Sequence, residues 1–194
     1  GNVRTVLTTL YLVFNEGYTG DVDLAAEAIR LTRELAVLSP DPEVSGLLSL
    51  MLLHHARRDA RTAADGRLIP LAEQDRGLWR RELIVEGIDL LQDALTRDRL
   101  GPYQAQAAIA ALHADAPSAA ETDWVQIVEW YDELLAFSDS PVVRLGRAIA
   151  VGEADGPQAG LMALWAVDER VPRHRAALAY MHERAGDLET AAAD

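Results

Sequence analysis

The hydrophobic positions of this chain recur at the spacing of an α-helix along almost its whole length. They are three or four residues apart, which places them on one face of a helix. The clearest such face carries Leu24, Ala28, Leu31, Leu35 and Leu38. No two stretches show the alternation of paired strands. The pattern predicts an all-α protein of about ten helices in antiparallel pairs.

Capping residues and prolines mark where these helices begin. An aspartate, serine or glycine followed by a helix, often with proline in its first turn, is a common start signal. Such starts occur at Asp41-Pro42, Gly101-Pro102, Asp123, Ser140-Pro141 and Gly156-Pro157. We also predict a helix over 73–97, and a helix after Pro172 that Gly186 ends.

The second half of the chain repeats itself weakly. Pro141 and Pro172 both precede helices, and small residues recur after each. Paired helices with prolines before them and small residues after them are typical of tetratricopeptide arrays, whose units have about 34 residues. We therefore predict a right-handed, tetratricopeptide-like helical array, with 123–194 as its most repeat-like part.

The organisation predicted is a single helical-repeat domain over 1–194. It starts with an opening helix over 1–20 and contains a long loop over 60–72, where the periodicity lapses around the turn signal Asp65-Gly66. The chain opens on Gly1-Asn2 and stops within an alanine-rich helical pattern, so we expect it to be a piece of a longer protein.

The composition excludes several kinds of chemistry. The 194 residues include 31 acidic and 18 basic side chains, for a net charge of −13, and no cysteine. Every basic residue is arginine, so lysine Schiff bases and P-loops are excluded. Without cysteine there is no disulfide, thiolate zinc site or cysteine nucleophile. No apolar run is long enough to span a bilayer. We expect a cytoplasmic protein that does not contact membranes.

The histidines and carboxylates form no recognisable catalytic motif. The five histidines are His54, His55, His113, His174 and His182, and none belongs to a His-Glu-x-x-His pattern. Gly-x-Ser-x-Gly and Gly-x-Gly-x-x-Gly motifs are also absent. The sequence therefore predicts a protein that is not an enzyme and holds no cofactor or metal.

One stretch is basic within this acidic chain. Residues 57–81 contain seven arginines and four acids. These arginines either pair with acidic residues elsewhere, which would be structural, or form a patch that binds a partner or an anion. Trp79 is either part of the core or an aromatic anchor. We expect Arg57 and Arg76 to lie close enough to share a carboxylate partner or an anion.

Two further clusters are polar where packing alone does not require it. Asn15, Glu16 and Tyr18 lie at the end of the opening helix, where capping explains Asn15. Tyr103 and Gln104 lie in the first turn of an alanine-rich helix, where the amide either satisfies nearby backbone groups or faces a groove.

Eight short motifs, in order along the chain, resemble the C-terminal extension of a group of extracytoplasmic-function (group IV) RNA polymerase sigma factors. They are residues 14–18 (FNEGY), 26–31 (AEAIRL), 52–58 (LLHHARR), 75–79 (DRGLW), 101–110 (GPYQAQAAIA), 122–124 (TDW), 140–143 (SPVV) and 156–161 (GPQAGL). In that group, a helical tetratricopeptide-like domain follows the two sigma regions that read promoters. Those regions are absent here, and Gly146 stands where the family has asparagine.

The resemblance implies a regulatory protein-interaction domain of a bacterial sigma factor. Its expected partners are sigma regions 2 and 4 of the same polypeptide, or the RNA polymerase core. This acidic piece is not expected to bind DNA directly, because phosphate contacts need a cationic face.

The alternative is a small-molecule or peptide sensor with a pocket lined by Arg57, Arg58, Arg76, Trp79 and Tyr103. The residues expected to bind a partner or ligand are Asn15, Glu16, Tyr18, Arg57, Arg58, Arg76, Trp79, Tyr103, Gln104 and Trp124.

Overall fold

A computed structural model describes residues 2–19 and 22–193, except the side chains of residues 18, 19, 22, 23, 190 and 191. The all-α prediction is confirmed, because these residues form ten α-helices and no strand beyond an isolated bridge. The helices are α1 (Asn2–Thr19), α2 (Val22–Leu38), α3 (Pro42–His55), α4 (Arg58–Arg61), α5 (Arg81–Thr96), α6 (Pro102–Asp115), α7 (Trp124–Phe137), α8 (Pro141–Asp155), α9 (Pro157–Leu164) and α10 (His174–Ala193). The tetratricopeptide-like, right-handed arrangement stays a prediction.

The predicted helix starts are confirmed, and those of α3 and α7 each show a local capping bond. The Asp41 carboxylate accepts from the Glu43 amide at 2.9 Å before α3, and Asp123 accepts from Gln126 at 3.1 Å before α7. Each bond satisfies one of the amides that a helix N-terminus leaves without an internal partner. Local sequence alone therefore sets these starts.

Two predicted boundaries are wrong. Residues 73–80 are not part of α5, because the Asp75 carboxylate accepts from the Gly77 amide at 2.9 Å and favours a 3-10 turn over 76–78. In addition, the Arg80 amide donates to the Ala56 carbonyl at 2.9 Å, a tertiary bond that fixes the start of α5. Helix α10 also runs through Gly186, since a single helical glycine costs only about 1 kcal/mol.

The chain divides into two compact units, Gly1–Glu121 and Thr122–Asp194, and each is described by itself. That residues 1–194 make one domain stays a prediction. In the first unit, helix α3 lies at the centre and packs against α1, α2, α5 and α6. It is apolar on all sides, which is typical of a buried helix, and only Glu43 and His54 of its residues are not fully buried.

The segment after α3 contains a short hairpin. Thr62 and Leu68 form an isolated antiparallel bridge, and Gly66 between them has a φ of +85°. Glycine suits this turn because left-handed backbone is unfavourable for most residues. The predicted loop over 60–72 therefore contains a small ordered turn between α4 and a 3-10 helix at 71–73.

The second unit is built from α7, α8, α9 and α10, each packed on its neighbour in sequence. Glycines allow α8 and α9 to approach closely: a Cβ on Gly160 would lie 2.7 Å from the Gly152 Cα. The apolar core between these helices contains Leu145, Ala148, Leu164, Val167, Ala177 and Met181.

Candidate functional site

Three of the residues chosen from sequence meet at the C-terminal end of α3, and we call them the Arg–Trp cluster: Arg57, Arg76 and Trp79. The Arg76 guanidinium lies 4.4 Å from the centroid of the Trp79 ring, and that of Arg57 lies 6.0 Å from it. Both distances are within the range of cation–π contacts. Trp79 is only 8% exposed and donates to the Gln74 side-chain oxygen at 3.2 Å. Trp79 is therefore a core residue on which two cations pack.

Arg76 ties this cluster to the end of α6. Its Nη1 donates to the carbonyls of His113 at 3.1 Å and Ala116 at 2.9 Å. The last carbonyls of a helix lack internal donors and carry partial negative charge, so a guanidinium is a suitable partner. The other nitrogen, Nη2, is buried and has no hydrogen-bond partner in the described part of the chain.

The Arg–Trp cluster contains two cations, and no carboxylate of the described residues forms an ion pair with either of them. Among the described residues, neither Arg57 nor Arg76 forms an ion pair, whereas nine other arginines do: Arg30, Arg33, Arg58, Arg80, Arg97, Arg144, Arg147, Arg170 and Arg184. Burial, and then the nearby charge of Arg76, lower the pKa of Arg57 to about 10. Arg57 still carries its charge at neutral pH.

Two histidines beside the cluster are neutral at physiological pH. Burial, followed by the charge of Arg57, lowers the pKa of His54 to about 3. The same two causes lower the pKa of His113 to about 4. The positive charge of this region therefore comes from its arginines alone.

Arg58 has separate partners from the cluster. Its Nη1 lies 3.0 Å from the His55 Nε2, and its Nε lies 3.7 Å from an Asp59 carboxylate oxygen. It lines a cavity of about 280 Å³ together with Gly17, Ala25, His55, Asp59, Arg61 and Thr62.

Tyr103 and Gln104 lie at the opposite end of α3. Both of their amides donate to the Glu43 carboxylate, each at 3.0 Å. Helix α3 has 14 residues and is therefore about 21 Å long, so Tyr103 does not join the arginines in one pocket. Gln104 is fully buried and its amide nitrogen donates to the Arg99 carbonyl at 2.9 Å, so it satisfies backbone and does not face a groove.

The remaining sequence candidates are dispersed. Asn15 and Glu16 are exposed near the end of α1, where the Asn15 side chain bonds Tyr11. The Tyr18 side chain lies outside the described residues. Trp124 is the first residue of α7 in the second unit and is half-buried.

An apolar groove that was not predicted from the sequence lies between α9 and α10, and we call it the α9–α10 groove. Its volume is about 460 Å³, and its lining residues are Gln158, Leu161, Met162, Leu164, Trp165, Val167, Glu169, His174, Leu178 and His182. Trp165 is 90% exposed and Met162 is 77% exposed. The sequence did contain a signal for this groove. Helix α9 has apolar residues at 161, 162 and 164, and Trp165 follows directly after it. These residues cannot all lie on one buried face of a helix, so some of them must be exposed.

Neither a metal-binding cluster nor a membrane-spanning helix is present in residues 2–19 and 22–193. No group of three histidine or carboxylate side chains there is arranged to hold a metal ion. In the same ranges, no helix has both the length and the apolar character needed to cross a bilayer.

This chain is similar to one family model and to one curated protein. The model of a family of unknown function, DUF6596, matches residues 2–95, which include α1 to α4 and the Arg–Trp cluster. An uncharacterized protein of Rhizobium meliloti (strain 1021) is 45% identical over 177 residues, which cover 87% of this chain. The match spans 42% of that relative's length. No solved structure matches the chain.

Proposed function

We propose that this chain is a regulatory protein-interaction region of a bacterial, cytoplasmic sigma factor of the extracytoplasmic-function type. The eight ordered motifs support this proposal, and so does a relative that is more than twice as long. In such a protein the chain would bind sigma regions 2 and 4 or the polymerase core, and so modulate transcription initiation. We propose that it acts by binding and not by catalysis.

The observation that carries this proposal is the α9–α10 groove. A tryptophan that is 90% exposed beside a methionine that is 77% exposed is costly to leave in water. Aromatic residues and methionine are enriched at the centres of protein interfaces, where tryptophan often supplies a large share of the binding energy. The groove is therefore the surface we assign to the partner.

The charge of the second unit favours sigma regions as the occupant. Residues 122–194 contain 13 acidic residues and six arginines. Glu169 lines the groove and forms no ion pair among the described residues. Regions that bind promoter DNA must present a basic surface to its phosphates. Such a surface is attracted by an acidic unit, and the attraction acts mainly on the association rate.

The test is a titration of the 194-residue chain against regions 2 and 4 and against core polymerase, with promoter duplex as a comparison. We expect binding to the proteins that weakens as salt is added. Trp165→Ala should weaken it by about tenfold or more. Leu38→Ala, at a residue 82% exposed in the first unit, is the matched control and should bind like the wild type.

Two results would contradict the proposal. One is binding to promoter duplex but to none of the proteins. The other is equal binding by the Trp165→Ala and Leu38→Ala variants, which would show that the groove is not the contact surface.

A further inference from the structure

We propose that the Arg–Trp cluster is a binding site for a small oxyanion of the phosphate class, held by Arg57 and Arg76 beside Trp79. Both guanidinium groups lie within 6.0 Å of the centroid of the same indole ring. Both arginines are half-buried, so solvent reaches them while the protein shelters them. This site is in the first unit and is independent of the α9–α10 groove.

Donors without an acceptor are the first feature of the cluster that points to an anion. A guanidinium has five N–H donors in a fixed planar arrangement. Among the described residues, Arg57 makes one side-chain hydrogen bond, a long one of 3.4 Å to the His54 Nδ1. Arg76 uses Nη1 for two carbonyls, while its buried Nη2 has no acceptor. Most of the N–H donors of Arg57 therefore have no acceptor in the described protein, and an oxyanion with several acceptor oxygens supplies one.

The positive charge of Arg57 and Arg76 also favours an anion. The chain has 31 acidic residues, yet within the described part none forms an ion pair with Arg57 or Arg76. The closest ion pairs in sequence are those of Asp59 with Arg58 and Arg80. Two adjacent cations that are partly removed from water repel each other strongly. A bound anion removes this repulsion, and no carboxylate of the described chain does so.

The chemistry of the guanidinium groups indicates which anion fits. Arginine binds phosphate and carboxylate groups through paired N–H donors, and such charge-assisted bonds are stronger than neutral ones. Two guanidinium groups at one indole offer more N–H donors than a monocarboxylate has oxygens, so they match an anion with more than two oxygens. Phosphate carries more charge and more acceptors than a monocarboxylate, so we expect it to bind more tightly.

The experiment is a calorimetric titration of the 194-residue chain with inorganic phosphate, paired with thermal unfolding. Chloride is withdrawn as phosphate is added, so that ionic strength stays constant, and acetate is titrated in a parallel series. We expect saturable phosphate binding near one site per chain. We also expect a rise in Tm with phosphate that exceeds the rise with acetate, because a ligand of the folded state stabilises it.

The variant is Arg57→Gln, which keeps a donor near His54 and removes the charge. It should raise the Kd for phosphate by about tenfold or more. Arg67→Gln is the matched control, because Arg67 is exposed in the same basic stretch, and it should keep the wild-type Kd. Circular dichroism checks that both variants are folded.

The proposal is overturned if the wild-type chain gives no saturable binding of phosphate, whether or not the variant folds. It is also overturned if phosphate and acetate shift Tm equally at constant ionic strength, which would indicate general screening. Equal losses of affinity in Arg57→Gln and Arg67→Gln would show that the basic stretch acts only through its net charge.

Discussion

Glu43 in the first turn of α3 caps the start of α6 by accepting three hydrogen bonds, two of which come from Gln104. Its carboxylate oxygens accept from the Gln104 amide at 3.0 Å and the Gln104 side chain at 3.3 Å, and the third bond comes from the Tyr103 amide at 3.0 Å. Burial raises the pKa of Glu43 in spite of these bonds. A residue far away in sequence thus does the work of an N-cap, because Gly101 before α6 has no side chain to do it.

We expect Glu43→Ala to lower the free energy of unfolding by about 2 kcal/mol, since it leaves two amides of α6 without their acceptor. Urea unfolding followed by circular dichroism measures this change. Glu34→Ala is the control, because Glu34 is exposed and pairs with Arg30 at the surface, where an ion pair contributes less than about 1 kcal/mol. Equal losses in the two variants would contradict the capping role.

The second prediction concerns the contact between α3 and α6 at Gly46. A Cβ there would lie 2.7 Å from the Gln104 Cγ and 2.9 Å from its amide nitrogen. Gly46→Ala should therefore lower stability by about 1–3 kcal/mol, because the helices must move apart. Gly186→Ala in α10 is the matched control: its Cβ meets no atom within 4 Å, so we expect stabilisation of up to about 1 kcal/mol from helix propensity. Thermal melts of both variants give the sign of each change.

The third prediction is a loss of stability in mild acid. The pKa values of His54 and His113 are about 3 and 4 in the folded chain, against an ordinary value of 6.5. Between these values the unfolded chain binds more protons than the folded chain. The contribution of the two histidines to stability is therefore fully present above pH 6.5 and is lost as the pH falls toward 3–4. The slope approaches about 1.4 kcal/mol per pH unit for each histidine.

Urea unfolding at a series of pH values, for the wild type and His113→Gln, tests this pH dependence. The comparison isolates the histidine from carboxylates that also titrate in acid. The variant should lose stability less steeply than the wild type as the pH falls, and the double variant with His54→Gln less steeply still. Identical slopes in all three proteins would contradict the burial of neutral histidines.

The fourth prediction separates the structural role of Arg76 from its role in binding. Arg76→Gln should lower the free energy of unfolding by about 2 kcal/mol, because it removes the two bonds to the end of α6 and the contact with Trp79. Arg67→Gln should change stability by less than about 0.5 kcal/mol, as expected for an exposed site. Chemical denaturation in chloride buffer, without phosphate, measures both. If Arg76→Gln is as stable as Arg67→Gln, the guanidinium does not hold the end of α6.

Helix identity and most helix starts could be predicted from sequence because their causes are local. The capping bonds of Asp41 and Asp123 join residues two or three positions apart, so the signal and its effect lie in the same few residues. The start of α5 could not be predicted in this way, because it depends on the bond from Arg80 to Ala56, which are distant in sequence. The proximity of Arg57 and Arg76 was expected from charge, and the contacts of both with Trp79 agree with it.

By itself, the sequence determined the helical class, the capped starts and the basic stretch, since periodicity, caps and charge are properties of neighbouring residues. Only the tertiary structure decided which candidates meet. The buried length of α3 separates Tyr103 from Arg57, and the carbonyls at the end of α6 bring Arg76 against Trp79. The exposure of Trp165 was also decided there, because the burial of an apolar side chain depends on which helix packs beside it, and no short stretch of sequence contains that information.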